Sequence, residues 1–346
     1  MENKRLRPKK IYTQPKVERI LLDGKNIIKG CLVCPHLFVW DGIRYVKENS
    51  ILPDSEDILR KERDIMDYYV LNTTPVPKGK YLSFKIKELA NDISYFKQFV
   101  LLTAEHPQEV CLGVTKRGRI YPYKEENFIL PENCQDKEGK EITSIRDFDV
   151  KEFYQAKPGD CLYLEFKRPN SSARLLILDP TDLGEGRKYL ASNDQAKTSI
   201  YIHLFVESKW KCINVFHTRT NFYLDIVDLT PHLFNIKDKL IVKLEFTAFH
   251  KVAFVGLDVT PFVKIRVREY QIIQAIHSKL GDVTETLRRE NNEYVKLSPM
   301  EEIELNFPVP TPPTSKKQLT YILMSKGYYI PIAKILQPAL VSNSED

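Results

Sequence analysis

Residues Leu240 to Asp258 read LIVKLEFTAFHKVAFVGLD. Leu240, Val242, Leu244 and Phe246 alternate with Ile241, Lys243 and Glu245, a period of two that turns one side of a strand toward a core and leaves a mixed side outward. Beyond His250 a second apolar run ends at Asp258, so the spacing predicts two strands joined as the central hairpin of a sandwich. The same pattern recurs on either side, in Cys161 to Phe166, Arg174 to Leu178, Ser199 to Val206, Lys211 to Phe216 and Phe222 to Asp228. Strands that follow one another through turns, with no helices between them, form antiparallel sandwiches rather than parallel sheets.

The first half carries the same signature. Leu37 to Trp40 and Ile43 to Val46 flank Asp41-Gly42, and Val110 to Val114 and Arg119 to Tyr123 flank Lys116-Arg117-Gly118, both hairpin signals. Strands are expected at Tyr68 to Leu71, Lys80 to Glu88 and Tyr95 to Thr103, and late in the chain at Tyr294 to Leu297, Ile303 to Phe307 and Gln318 to Met324. Three stretches admit short helices: one from Pro53-Asp54-Ser55 to Asp67, equally readable as a loop, one from Thr143 to Phe153, and Gln271 to Leu280, where Ile272, Ile273, Ile276 and Leu280 share a helical face but ten residues leave a strand possible. The expected architecture is mainly β, with two antiparallel β-sandwich domains and few short helices. Its expected divisions are a basic flexible arm at 1–25, an N-terminal β domain at 26–146, a C-terminal sandwich at 147–331 and a tail at 332–346.

At 346 residues, 42% of them hydrophobic and 11% aromatic, the chain is long and apolar enough for large cores and too apolar for disorder. The formal net charge of +6 is concentrated at the start, where Lys4, Arg5, Arg7, Lys9 and Lys10 against Glu2 account for +4. A basic face on the folded body, and with it specific nucleic-acid binding, is therefore not expected. No run approaches the roughly 18 apolar residues of a spanning helix, and no apolar segment backs the N-terminal charges as a signal peptide requires. A cytoplasmic location is expected for the sequence as written, with surface association if a leader was removed. Cys31, Cys34, Cys111, Cys134, Cys161 and Cys212 are thinly spread and expected to be reduced.

Chemistry-bearing motifs are sparse. Cys31-Leu-Val-Cys34 has metal-like spacing with His36 nearby, but zinc needs four ligands and no second close pair follows. Cys31 and Cys34 are thus candidate metal ligands read chiefly as two thiols or a local disulfide. No two of the seven histidines share a metal-binding spacing, and no nucleophile elbow or metalloprotease motif is present. His250 is singled out because it lies between two core strands and is followed by Asp258. Trp40 and Trp210, with Tyr201, Phe205, Phe216 and Tyr223, are the residues from which an aromatic ligand platform would be built, although strand aromatics are more often core. The candidate ligand-binding residues are Trp40, Trp210, His250 and Asp258, and no cofactor is expected.

Segments Cys34-Pro-His-Leu-Phe-Val-Trp-Asp-Gly42, Asp67-Tyr-Tyr-Val-Leu71, Thr103-Ala-Glu-His-Pro107, Gly256-Leu-Asp258, His277-Ser278 with Gly281-Asp282-Val283, and Gly327-Tyr-Tyr-Ile-Pro331 together resemble a family of archaeal and bacterial two-part β-sandwich proteins. Its members are often appended to repeat-containing or surface-associated chains. Residues 150 to 265 also look like a galactose-binding-type jelly roll, which implies a jelly-roll-like second sandwich. The expected function is non-enzymatic: a binding or scaffold protein that engages a protein or glycan partner through loops at the sandwich ends or an aromatic strand face. The alternatives are a hydrolase using carboxylates with His250 or His277, and a structural subunit whose basic arm docks on an assembly partner.

Overall fold

A computed structural model describes residues 35–53, 64–89, 92–146, 152–179, 199–219, 222–314 and 316–332. Cys31, Cys34 and the basic arm lie outside the described residues. The chain is mainly β and antiparallel, and among the described residues no sheet closes into a barrel. Among the described residues, no helix is long and apolar enough to cross a membrane.

The first sandwich is built from both ends of the chain. One of its sheets runs Tyr45–Ser50, His36–Trp40, Tyr81–Lys87, Glu302–Pro308, Gln274–His277, Gly281–Asp282, with Pro77–Lys78 beside Tyr81–Lys87. The other runs Arg266–Gln271, Asp92–Pro107, Lys317–Pro331, Ile65–Val70, with Val295–Leu297 beside Asp92–Pro107. The 16-residue strand Asp92–Pro107 and the 15-residue strand Lys317–Pro331 pair along their length. Leu37, Phe84, Leu305 and Phe307 from one sheet meet Phe96, Phe99, Leu101 and Leu323 from the other, all buried.

The second sandwich is inserted between these halves. One sheet runs Asn133–Asp136, Cys161–Lys167, Lys239–Phe246, Ser199–Val206, Lys209–His217; the other runs Leu224–Asp228, Arg174–Leu178, Phe254–Asp258, Phe128–Ile129. Leu162, Leu164 and Phe166, Ile200, Ile202 and Leu204, and Leu240, Val242 and Leu244 are the alternate residues of three neighbouring strands, and they close on Leu175, Ile177, Val255 and Leu257 opposite. A ribbon of Cys111–Val114 and Ile120–Tyr123 lies between the sandwiches. Val114 and Ile120 pack with Val70, Val100 and Ile322 of the first, and Tyr123 and Tyr121 pack with Leu176, Leu224 and Ile226 of the second. The ribbon is pressed so closely that a Cβ on Gly113 would sit 2.1 Å from Ile226 Cδ1.

Three sequence expectations need correction. The boundary between 146 and 147 does not separate the sheets, because Asn133–Asp136 pairs with Cys161–Lys167 across it, and strands before 108 pair with strands after 265. Local patterning shows that a strand exists but not which distant strand completes it. Leu240 to Asp258 is not a hairpin either: Lys239–Phe246 and Phe254–Asp258 belong to opposite sheets, and His250–Val252 between them pairs with Tyr154–Ala156. The stretch is an arch over the core, and its two apolar faces look at each other.

The third correction concerns helices. Gln271 to Leu280 is a strand and turn: Gln274–His277 pairs with Glu302–Pro308, and the His277 Nδ1 accepts from the Lys279 and Leu280 amides at 3.0 and 3.1 Å to close the turn. Ten residues are too few to hold a helix against such pairing. Residues 143–146 are turn and bridge rather than helix, and Ile65 to Asp67 begin a strand, while 147–151 and 54–63 lie outside the described residues. Among the described residues, the α-helix is Thr284–Arg288, five residues.

Candidate functional site

Strand alternation decides what the five-stranded sheet of the second sandwich shows to solvent. With Leu162, Leu164, Ile202, Leu204, Val242 and Leu244 turned inward, Tyr163, Glu165, Tyr201, His203, Phe205, Lys243 and Glu245 must turn outward. Register aligns them in rows: Tyr163, Lys243, His203 and Cys212 lie opposite one another on successive strands, as do Cys161, Glu245 and Tyr201.

Trp210 crosses this face. It stands on the edge strand Lys209–His217, opposite Phe205, and three strands away from Tyr163. Three inter-strand spacings are about 14 Å, yet the Trp210 and Tyr163 ring centroids are 5.8 Å apart, so both side chains lean across the sheet toward each other. Phe205 completes the set at 5.2 Å from Trp210. Trp210 and Phe205 are each 38% exposed, so these neighbouring rings belong to the surface rather than the core. The hairpin that carries them turns through Glu207 and Ser208, with φ of 53° and 62°. Two positive φ values suit the twist of a two-residue hairpin but favour Asn-Gly over Glu-Ser.

Polar groups sit among the rings. Lys243 Nζ lies 5.7 Å from the Trp210 ring centroid and 3.1 Å from Glu245 Oε2. The same carboxylate oxygen is 3.1 Å from His203 Nε2, and the His203 ring stacks on Tyr201 with centroids 6.4 Å apart. Burial, and then the neighbouring Lys243, lower the His203 pKa against the pull of Glu245, so the imidazole is neutral at physiological pH. Burial raises the pKa of both Cys161 and Cys212, leaving thiols rather than thiolates at the rim.

The other residues singled out in the sequence lie elsewhere. Trp40 is on the first sandwich, edge-on to Tyr45 at 5.3 Å under Lys78, which bonds Tyr45 Oη at 3.1 Å and Glu304 at 3.2 Å. His250 and Asp258 are fully buried and out of reach of a ligand. Asp258 accepts from Arg174 Nε at 2.7 Å, and His250 Nδ1 meets Asp179 Oδ2 at 3.0 Å. His277 is 2% exposed, and besides closing its turn it bonds the Lys296 carbonyl at 3.0 Å. Tyr223, one of the aromatics from which a platform could be built, is core instead, buried at the junction of the sandwiches. Tyr163 and Lys243 were missed in the sequence, since only sheet order brings them to Trp210. Among the described residues, no group of three or more His, Cys, Asp or Glu is arranged to hold a metal ion.

No protein-family model and no curated protein matches the chain. Two solved structures are similar in part. One is BuGH86 in complex with neoagarooctaose, at 10% identity over 60% of this chain and 34% of that one, with a TM-score of 0.23. The other is BpGH86A, a beta-porphyranase of glycoside hydrolase family 86 from the human gut bacterium Bacteroides plebeius, at 10% identity over 61% of this chain and 37% of that one, with a TM-score of 0.17. The chain thus spans little more than a third of either structure, and at these TM-scores the likeness carries no argument about function.

A second concentration of polar chemistry lies buried where the sandwiches meet. Arg219 donates to Asp67 at 2.6 and 3.1 Å and to the Ser50 carbonyl at 2.8 Å, and its guanidinium lies 4.9 and 4.7 Å from the Tyr69 and Tyr223 ring centroids. Asp225 lines a small cavity of about 40 Å³ beside them. Burial, partly offset by Arg219, pushes the Asp225 pKa up to about 7. A carboxyl pushed toward neutral beside a buried ion pair is an arrangement seen in acid–base sites, but this cavity has room for water alone.

Proposed function

We propose that the chain is a binding module that takes a glycan on the open face of its second sandwich. The observation that carries this reading is the accessible ring set Tyr163–Trp210–Phe205, interleaved with Lys243, Glu245 and His203. A pyranose ring presents a flat patch of C–H groups edged by hydroxyls. Such a ligand needs an aromatic floor with hydrogen-bonding groups at its margin, which this face supplies. A stable protein interface instead centres on a continuous dry apolar patch. Here the rings are broken up by ion pairs.

No catalytic step is part of the reading. The two histidines of the hydrolase alternative are buried and engaged, and the junction carboxylates border a space far smaller than a sugar. A glycan array probed with the wild-type chain and with Trp210→Ala tests the proposal. Binding that the substitution abolishes, with unchanged circular dichroism, supports it. Equal binding by both proteins moves the site elsewhere.

A further inference from the structure

Resting on that reading, the shape and charge of the face specify the ligand further. The Trp210 ring plane is inclined by 58° to Tyr163 and by 59° to Phe205. Three such rings form a faceted, non-coplanar surface with the indole in the middle. The flat face of a crystalline polysaccharide is rigid and would touch coplanar rings together, but on these facets it would meet one ring at a time. A single chain can rotate about its linkages and follow the facets.

Charge narrows the class again. Beside the rings, Lys243 is closed by Glu245, and farther along the same face Lys239 is closed by Glu165 at 2.8 Å. Lys209 and Lys211 flank Trp210 in sequence but alternate to the other side of the strand, where Lys211 meets Glu207 at 3.0 Å. Lys167 is exposed at the end of the Tyr163 strand, roughly 13 Å along it from the ring. Among the described residues, a sulfated or uronate chain laid over the rings would therefore meet Glu245 with no unpaired cation beside the rings to compensate, and burying its charges there is unfavourable. We propose that this faceted ring surface takes a single, uncharged saccharide chain in solution, and that the Glu245–Lys243 pair excludes polyanions.

The chain has two tryptophans, so full-length Trp40→Phe leaves Trp210 as the fluorescent reporter. Its emission is titrated with soluble neutral polysaccharides (dextrin, galactomannan, xyloglucan) and with alginate and dextran sulfate. Co-sedimentation with microcrystalline cellulose and chitin is measured in parallel. The expected result is saturable quenching by at least one neutral soluble polysaccharide, with polyanions at least tenfold weaker and no co-sedimentation; isothermal titration with the same polysaccharide should show that binding is lost in Trp210→Ala. In Glu245→Gln, which frees Lys243, the discrimination against alginate should fall by severalfold. Preferential binding of polyanions, or of the crystalline solids, overturns the inference while leaving a glycan-binding face. Failure of every saccharide, soluble or solid, overturns the reading on which the inference rests.

Discussion

At the junction of the sandwiches the Arg219 guanidinium lies between 4.7 and 4.9 Å from two tyrosine rings and is closed by Asp67. On the open face the Lys243 ammonium lies 5.7 Å from a tryptophan ring and is closed by Glu245. Each is a cation over an aromatic ring closed by a carboxylate, but Arg219 and Asp67 are buried, whereas Trp210 and Phe205 keep over a third of their surface exposed. A planar guanidinium can serve Asp67, a carbonyl and two rings at once, so it ties Ser50 and Asp67 of the first sandwich to the strand ends of the second. An ammonium on a flexible stem, still in reach of water, can trade its partner for a ligand hydroxyl. Burial thus divides equivalent chemistry into a structural seam and a recognition surface.

Substitutions should separate the two. The largest effect is expected for Arg219→Met, which leaves Asp67 buried without its counter-charge and should cost about 3–5 kcal/mol in urea unfolding. A loss under about 1 kcal/mol would mean that the seam does not hold the sandwiches together. Trp210→Ala should leave unfolding nearly unchanged while weakening saccharide binding by at least tenfold, as truncating a central aromatic anchor does. Isothermal titration of both variants makes the comparison direct, since Arg219→Met is expected to alter stability before it alters affinity.

The seam should also titrate. Asp225 has its pKa raised from 3.8 to about 7, so its contribution to stability is full below pH 3.8 and is lost as pH rises toward 7. His36, whose pKa burial and then Lys47 lower from 6.5 to about 3, contributes in the opposite sense: its stabilisation is present above pH 6.5 and lost as pH falls. Between about pH 4 and 6.5 the two oppose each other. Asp225→Asn removes one of them, so its stability relative to wild type should grow with pH by up to about 1.4 kcal/mol per pH unit across that window. Urea midpoints at four pH values check this, and a constant difference would place Asp225 in contact with solvent. The smallest effect is expected at the hairpin tip, where Ser208→Gly relieves a φ of 62° and should stabilise by about 0.5–1 kcal/mol, read as a shift in thermal midpoint with saccharide affinity unchanged.

How much of this was legible follows from range. Every alternating run around Leu240 to Phe246 became a strand, because a period of two is local and burial enforces it. The hairpins at Asp41-Gly42 and Lys116 to Gly118 were legible too, each from its turn residues. Sheet membership was not: Tyr81–Lys87 finds Glu302–Pro308 more than two hundred residues later, and nothing in either strand names the other. The same limit hid the site. Trp210, Phe205 and Tyr201 stood out as strand aromatics, but Tyr163 and Lys243 join them only because their strands neighbour in the sheet. His250 and Asp258 misled for the complementary reason, since a polar residue between core strands is as readily a buried, bonded one.

The most direct test of a recognition face distinct from a structural seam is amide hydrogen exchange with and without a saturating neutral saccharide. Slowed exchange confined to Cys161–Lys167, Ser199–Val206, Lys209–His217 and Lys239–Phe246 is the expected result. Protection at Ile65–Val70 and Leu224–Asp228 beside the junction cavity, with those four strands unchanged, would contradict it.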